Sequence, residues 1–104
     1  MTEEEARVRL DEFRVLIDGL DRRIVELLNK RTRVVENIGR VKREAKLPIY
    51  EPKREEQVYE NITHVNHGPL DEAAVRRIFE RIIDEMRQIQ RVRMEAANQS
   101  EGAK

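Results

Sequence analysis

Residues 10–42, LDEFRVLIDGLDRRIVELLNKRTRVVENIGRVK, set the architecture of this chain. Apolar residues recur in this segment at alternating steps of three and four, which is typical of one face of a long amphipathic helix. The seam they form consists of Leu10, Phe13, Ile17, Leu20, Ile24, Leu27, Arg31, Val34, Ile38 and Val41. Arg31 is its only charged member. Because a charge in a buried seam is costly unless an anion meets it, the pattern marks Arg31 as a candidate binding residue.

The composition is typical of a helical protein with well-solvated faces. Of its 104 residues 40% are charged, 4% are aromatic and none is cysteine. Basic and acidic residues number 21 each, so no global charge favours nucleic acid or a membrane surface as a partner. The absence of cysteine excludes disulfides, thiolate metal sites and a thiol nucleophile. Since neither a signal-peptide pattern nor a membrane span is visible, we expect a cytoplasmic protein.

Breaks at prolines divide the chain into three predicted helices, and hence into a single all-α domain over residues 1–104. The first helix begins after Thr2 as its N-cap and is predicted to end near Ala45. The second begins at Pro52, because proline is well tolerated in a first helical turn. We expect it to end with Gly68 as its C-cap.

The third predicted helix opens with Asp71 as its N-cap. Its apolar stripe consists of Val75, Ile78, Phe79, Ile82, Ile83, Met86 and Ile89. Gln90 lies on or beside this stripe, which places a polar amide near the predicted core. No apolar pattern continues beyond Ala96, so we expect residues 97–104 to fray.

The first helix is too long for a compact domain of this size. Forty residues of helix span about 60 Å, whereas a compact chain of this length has a radius of gyration of about 13 Å. An overhanging apolar seam needs a second chain to cover it. The sequence therefore predicts a homodimer in which the long helices pack antiparallel and intertwine.

Three basic residues of the first helix are candidates for binding one anion. Arg31 and Lys42 are separated by three turns and are about 20° out of phase, so both side chains share a helix face and could grip a small anion. Arg14 lies roughly 100° around the helix and about 25 Å along it from Arg31. It could reach the same ligand only from a partner chain.

Polar residues of the other two helices extend this candidate site. Arg54 and Glu55 lie in the first turn of the second helix, where free N–H groups can also meet an anion or a hydroxyl. Each candidate has an ordinary alternative, which is a solvated side chain for the charged residues and a satisfied core amide for Gln90. Together they describe several donors and one carboxylate without a nucleophile–base pair.

Other polar clusters are weaker candidates. His64 and His67 have a spacing of three but no further ligand nearby, so we expect no metal site. The basic residues Arg87, Arg91 and Arg93 are not interleaved with aromatic residues, so we expect no nucleic-acid surface. Met86 is expected to be a core residue.

A larger ordered set of residues matches the pattern of a known family. It comprises Leu10-Asp11-Glu12-Phe13-Arg14, Ile17, Leu20-Asp21, Leu27-Leu28, Arg31, Gly39, Lys42, Pro48-Ile49-Tyr50-Glu51-Pro52-Lys53-Arg54-Glu55, Ile78-Phe79, Ile82-Ile83 and Gln90. In these residues the chain resembles the all-helical, dimeric chorismate mutases of the bacterial type. The resemblance implies a three-helix protomer in an intertwined homodimer. It also implies an isomerase that converts chorismate to prephenate in phenylalanine and tyrosine biosynthesis without a cofactor.

The resemblance implies which residues bind the carboxylates of chorismate. Arg31, together with Arg14 from the other chain, would bind these groups, and Arg54 would support the carboxylate end of the pocket. Met86 departs from the family pattern, because a small hydroxyl residue often stands at this position and helps to bind a carboxylate. We therefore expect this departure to affect substrate affinity more than the chemistry.

The resemblance also implies which residues act on the reacting atoms. Lys42 and Gln90 would donate hydrogen bonds to the ether oxygen of the breaking bond, and with Arg31 they are the candidate catalytic residues. Glu55 would accept a hydrogen bond from the ring hydroxyl, helped by the backbone N–H of Glu51. Glu51 stands where Asp is usual, which should matter little if only its backbone is used.

A pericyclic rearrangement is consistent with the absence of a nucleophile. It needs only a folded reactant conformer and stabilisation of the charge that separates across the breaking C–O bond. Two alternatives remain open from the sequence. One is a lyase of the same fold that releases pyruvate from isochorismate. The other is a non-enzymatic dimerisation or regulatory module that partners a larger enzyme of the aromatic pathway.

Overall fold

The computed structural model describes residues 1–102 and is built from three α-helices. They are α1 (Glu3–Ala45), α2 (Pro52–Val65) and α3 (Glu72–Gly102). The described residues contain no strand, which confirms the predicted all-α class. None of these helices is long and apolar enough to cross a membrane.

The described residues divide into two compact units. Unit 1 is Met1–Arg33, and unit 2 comprises the residues from Val34 onward. The single domain over residues 1–104 therefore stays a prediction.

The helix starts follow the predicted capping residues. The N–H of Glu5 donates to Thr2 Oγ1 over 3.1 Å, and the N–H of Ala74 donates to Asp71 Oδ1 over 2.7 Å. Pro52 occupies the first turn of α2. The contacts of Thr2 and Asp71 satisfy amide groups that have no partner inside the helix, which favours the start of α1 and α3 at these residues.

The end of α1 lies at Ala45, as predicted. The next residue, Lys46, has a φ of 57°, in the left-handed region that favours glycine. The following N–H, that of Leu47, returns to the carbonyl oxygen of Lys42 over 2.8 Å. This bond satisfies a terminal carbonyl group and reverses the chain at the end of the helix.

The predicted C-cap of α2 is wrong. Asn66, not Gly68, is the C-cap, and its N–H donates to the carbonyl oxygen of Ile62 over 3.1 Å. The Asn66 side chain accepts from the Gly68 N–H at 3.1 Å and donates to the Leu70 carbonyl at 2.9 Å. Because an asparagine side chain can replace backbone hydrogen bonds, the helix ends two residues earlier and Gly68, with a φ of 80°, lies in the following turn.

The helix α3 continues to Gly102, so residues 97–102 are helical, and the fraying of this tail stays a prediction. Residues 97–102 contain no proline, and Ala97, Gln99 and Glu101 are good helix formers. Glu101 also lies 3.3 Å from Arg43 of α1, a contact that ties the last turns to the first helix. The final two residues of the predicted tail, 103 and 104, lie outside the described residues.

Unit 1 consists of the chain start and the first part of α1, and none of its residues is buried in the single chain. Large apolar side chains of the predicted seam are therefore exposed, and the exposed fraction of both Phe13 and Leu27 is 62%. A row of such residues on the surface of one chain is typical of a face that another chain covers.

Unit 2 has a small core around one face of α1. Val35, Ile83 and Met86 are each 7% exposed. Within this unit the seam residues Val34, Ile38 and Val41 remain exposed. The face of α1 that is buried in unit 2 is therefore next to the predicted seam. A periodic pattern identifies apolar faces, but it does not say which face packs within the chain.

We expect Asp71→Ala to lower the free energy of unfolding by about 0.5–2 kcal/mol, because the Ala74 N–H loses its acceptor. The matched control is Asp71→Asn, which keeps a side-chain oxygen and should change stability by only a few tenths of a kcal/mol. Urea unfolding followed by circular dichroism, at one protein concentration, measures both. Equal losses in the two variants would contradict the capping role.

Candidate active site

Lys42 is the most buried charged residue among the described residues of unit 2. Lys42 is 8% exposed and lies near the end of α1. Its Nζ donates to the carbonyl oxygen of Ile49 over 2.9 Å and lies 2.9 Å from Glu51 Oε1. An ammonium group has three N–H donors, so one remains for a ligand after these two described contacts. The structure thus places a partly desolvated cationic donor at a predicted catalytic position.

The side chain of Glu51 is a contact that the sequence did not predict. The sequence suggested a role for its backbone N–H alone, yet its carboxylate pairs with Lys42. The chain reversal after α1 creates this contact, and no helical spacing connects the two positions. The change from the usual Asp to Glu therefore concerns a side chain that contacts a predicted catalytic residue.

Glu55 is held by Arg87, a residue that the sequence analysis grouped with Arg91 and Arg93 as a basic cluster. The Nη2 atom of Arg87 lies 2.8 Å from Glu55 Oε1 and 2.9 Å from Glu55 Oε2. The guanidinium carbon also lies 5.1 Å from the centroid of the Tyr50 ring. The one feature of the sequence that could have indicated this contact is that Arg87 directly follows Met86 of the apolar stripe of the third helix. The contact joins α2 to α3 through Glu55, which is the predicted hydroxyl-binding residue.

Gln90 has a buried amide oxygen with no hydrogen-bond partner among the described residues. A Cβ atom placed on Gly39 would lie 3.6 Å from Gln90 Cγ, so α1 and α3 approach each other closely here. Both residues line a cavity of about 380 Å³, together with Arg43, Met94 and others. Buried amide groups normally have hydrogen-bond partners. The missing partner of the Gln90 oxygen therefore disfavours the alternative of a core amide with all its hydrogen bonds made, and leaves the side chain available to a ligand.

The remaining predicted site residues are not brought together by the described contacts. Arg54 is exposed, and its Nη1 lies 3.4 Å from Gln57 Oε1 on the same helix. Met86 is buried, as expected of a core residue. In unit 1, Arg31 is half-buried, whereas Arg14 is exposed and lies 3.3 Å from Asp11. The exposure of Arg14 leaves it accessible to a second chain.

The groups that unit 2 presents are suited to binding and electrostatic stabilisation. Lys42 and Gln90 can donate hydrogen bonds to an oxygen on which negative charge develops. Glu55 can accept a hydrogen bond from a hydroxyl group. Among residues 1–102 no cluster of three His, Cys, Asp or Glu side chains could hold a metal ion.

Comparison with known protein families shows which family the chain belongs to. The model of the family described as chorismate mutase type II matches residues 13–91. The chain belongs to this family. The matched range contains every predicted site residue, from Arg14 to Gln90. The resemblance in the sequence is therefore confirmed at the level of the family.

Chorismate mutase type II relatives include stand-alone and fused proteins. The chain is 38% identical over 80 residues to a bifunctional chorismate mutase/prephenate dehydratase of Pseudomonas aeruginosa, a match covering 72% of this chain and 22% of that protein. It therefore spans about a fifth of that relative's length. It is 27% identical to a chorismate mutase of Methanocaldococcus jannaschii, over 84% of this chain and 89% of that protein.

A solved structure has the same fold. The chain resembles form II of the chorismate mutase of Thermus thermophilus with a TM-score of 0.78 and 35% sequence identity. The match covers 80% of this chain and 94% of that one. The all-α fold is therefore shared with this solved structure.

We expect Glu51→Gln to lower the free energy of unfolding by about 1 kcal/mol, because the buried Lys42 ammonium loses its anionic partner. Glu51 is half-exposed, and water can replace part of the interaction, which keeps the loss small. Glu60→Gln, an exposed carboxylate of α2, is the matched control and should leave stability unchanged. Urea unfolding measures both, and equal values for the two variants would contradict the ion pair's contribution.

Proposed function

We propose that the protein is a chorismate mutase, which converts chorismate to prephenate in phenylalanine and tyrosine biosynthesis. The observation that carries the proposal is the buried Lys42 ammonium, a cationic donor at a family-matched position with one N–H left for a ligand. Membership of the chorismate mutase type II family supports the assignment of the substrate. The expected cytoplasmic location stays a prediction.

The reaction makes few demands on side-chain chemistry. It breaks a C–O bond and forms a C–C bond within one molecule, and no proton is transferred to or from the enzyme. A millionfold acceleration requires about 8 kcal/mol of transition-state stabilisation. Charge-assisted hydrogen bonds contribute about 1.5–3 kcal/mol each, so a few donors suffice if their bonds strengthen as charge develops.

The proposed donors act on the oxygen of the breaking bond. Lys42 would donate its third N–H to this ether oxygen, where negative charge grows as the bond lengthens. The Gln90 amide would donate a second hydrogen bond to this oxygen. No described hydrogen bond holds its own amide oxygen in place, so the amide group can turn its nitrogen toward the ligand. Glu55 would accept from the ring hydroxyl, and Glu51 would hold Lys42 in place.

The proposed carboxylate-binding residues are arginines. Arg31 and Arg54 would bind the carboxylates of chorismate, since a guanidinium group matches a carboxylate with two parallel hydrogen bonds. Arg14 would be donated by the other chain of a homodimer. Met86, which is buried, offers no hydroxyl to this end of the substrate.

The homodimer would bury the exposed apolar face of α1. Leu10, Phe13, Ile17 and the further apolar seam residues of unit 1 are exposed in the single chain. Burial of apolar surface is the dominant favourable term in such an association. We therefore propose that two chains pair through these faces in an intertwined, antiparallel arrangement.

A partner enzyme of the aromatic pathway is also part of the proposal. The relative in Pseudomonas aeruginosa carries chorismate mutase and prephenate dehydratase in one bifunctional protein. A separate or fused enzyme that consumes prephenate is the corresponding partner for this chain.

We expect purified protein to form prephenate from chorismate, and we expect Lys42→Ala to lower kcat by about 10²–10³-fold because one donor to the developing charge is lost. Lys30→Ala, an exposed lysine of the same helix, is the control and should retain full activity. The assay follows chorismate consumption and prephenate formation. An unchanged kcat in Lys42→Ala would overturn the site, and pyruvate release from isochorismate with no turnover of chorismate would favour the lyase.

We expect Arg14→Ala mainly to raise KM, because a contact to a substrate carboxylate is made in the ground state and the transition state alike. If Arg14 acts across the dimer, mixing the impaired Arg14→Ala and Lys42→Ala chains under conditions of subunit exchange restores activity. In an equal mixture about half of the dimers are mixed, and one of the two sites in each mixed dimer is intact. At substrate concentrations below KM the mixture should therefore approach about a quarter of wild-type activity. No gain on mixing would contradict the donation of Arg14 by the partner subunit.

A further inference from the structure

The contact between Arg87 and Glu55 has an unusual form for a helical surface. A single nitrogen, Nη2, bridges both oxygens of the carboxylate at 2.8 and 2.9 Å. Both side chains are mostly buried, with 27% of Arg87 and 22% of Glu55 exposed. Partly buried charge-assisted pairs of this kind are stronger and better ordered than exposed ones.

The surroundings of Arg87 fix its guanidinium group on three sides. Asp84, one turn earlier on α3, lies 3.6 Å from the same nitrogen. The Tyr50 ring, in the segment before α2, lies 5.1 Å from the guanidinium carbon. The Nε atom is buried and has no described hydrogen-bond partner. The group is therefore held by its contacts with Glu55, Asp84 and Tyr50.

We propose that Arg87 is a positioning residue that presents the Glu55 carboxylate to the ring hydroxyl of the substrate. This inference rests on the proposed function, in which Glu55 accepts that hydroxyl. Each carboxylate oxygen has two lone pairs, and the bridge from Arg87 uses one of them on each oxygen. A second lone pair remains on each oxygen for the hydroxyl, so the bridge orients the acceptor without occupying it.

The benefit of this arrangement is the ordering of Glu55 before the substrate binds. A free glutamate side chain loses up to about 2 kcal/mol of rotamer entropy when it becomes fixed. Arg87 fixes it in the folded protein, so less of that cost falls on substrate binding. The positioning residue acts only through Glu55, and this distinguishes it from a structural ion pair between α2 and α3.

The test is a double-mutant cycle with two substrates. The variants are Arg87→Met, Glu55→Gln, the double variant, and Arg91→Met as the matched control. Arg91 lies one turn beyond Arg87 on α3, is exposed, and contacts Gln88 rather than a carboxylate. The substrates are chorismate and an analogue that lacks the ring hydroxyl. Circular dichroism spectra and unfolding curves establish the temperature at which every variant is folded, and kcat and KM are measured there.

The expected result is a loss of about tenfold in kcat/KM for chorismate in Arg87→Met, comparable with that of Glu55→Gln. The double variant should lose no more than Glu55→Gln alone, and Arg91→Met should stay within about twofold of wild type. With the analogue, Arg87→Met should have no effect, because no hydroxyl needs the oriented carboxylate. A merely structural ion pair would impair turnover of both substrates equally.

Several results would overturn the inference. They are an undiminished kcat/KM for chorismate in Arg87→Met, an equal loss with the analogue, or a further loss in the Glu55→Gln background. A Glu55→Gln variant with unchanged kcat/KM for chorismate would overturn it too, because turnover would then not need the carboxylate that Arg87 orients. Failure of the proposed function is distinguishable, since in that case the wild-type protein itself shows no turnover of chorismate.

Discussion

The burial of the Lys42 ammonium constrains the whole of unit 2. An ammonium group that is 8% exposed is stable only when acceptors replace its lost water. Both described acceptors, the Ile49 carbonyl and the Glu51 carboxylate, belong to the segment that follows α1. That segment must therefore fold back over the end of the helix. Because α2 begins at Pro52, directly after Glu51, these contacts place the start of α2 beside the end of α1.

Polar contacts support a core that is small for the number of helices it joins. Only Val35, Ile83 and Met86 are buried apolar residues among those the structure describes. Around them, Arg93 lies 3.0 Å from Glu36 and connects α3 to α1, while Arg76 lies over the Tyr59 ring and connects α3 to α2. A chain with so little buried apolar surface gains little stability from its own packing. Association through the exposed face of α1 would supply the missing burial, which links folding to the proposed dimer.

The candidate site consists of groups that are held in place rather than chemically activated. Lys42 is fixed by two acceptors, and Glu55 is fixed by both hydrogen-bond contacts of Arg87. For the proposed rearrangement this is what catalysis requires, because preorganised donors need no rearrangement as charge develops. The ion pairs of Lys42 and Glu55 would then be part of the proposed catalytic arrangement.

Most of the secondary structure follows from the amino-acid sequence. The periodic apolar residues, the caps Thr2 and Asp71 and the start at Pro52 identified the three helices, and the motif from Arg14 to Gln90 identified the family. These features are readable because helical hydrogen bonds, caps and face periodicity involve residues that are only a few positions apart. The tertiary structure determined which groups of the site meet. It buried Val35 rather than its neighbour Val34, moved the end of α2 to Asn66, and paired Glu51 with Lys42. It also joined Glu55 to Arg87, across 32 positions of sequence. Such contacts depend on how whole helices pack and where the chain reverses, and no local spacing in the sequence records them.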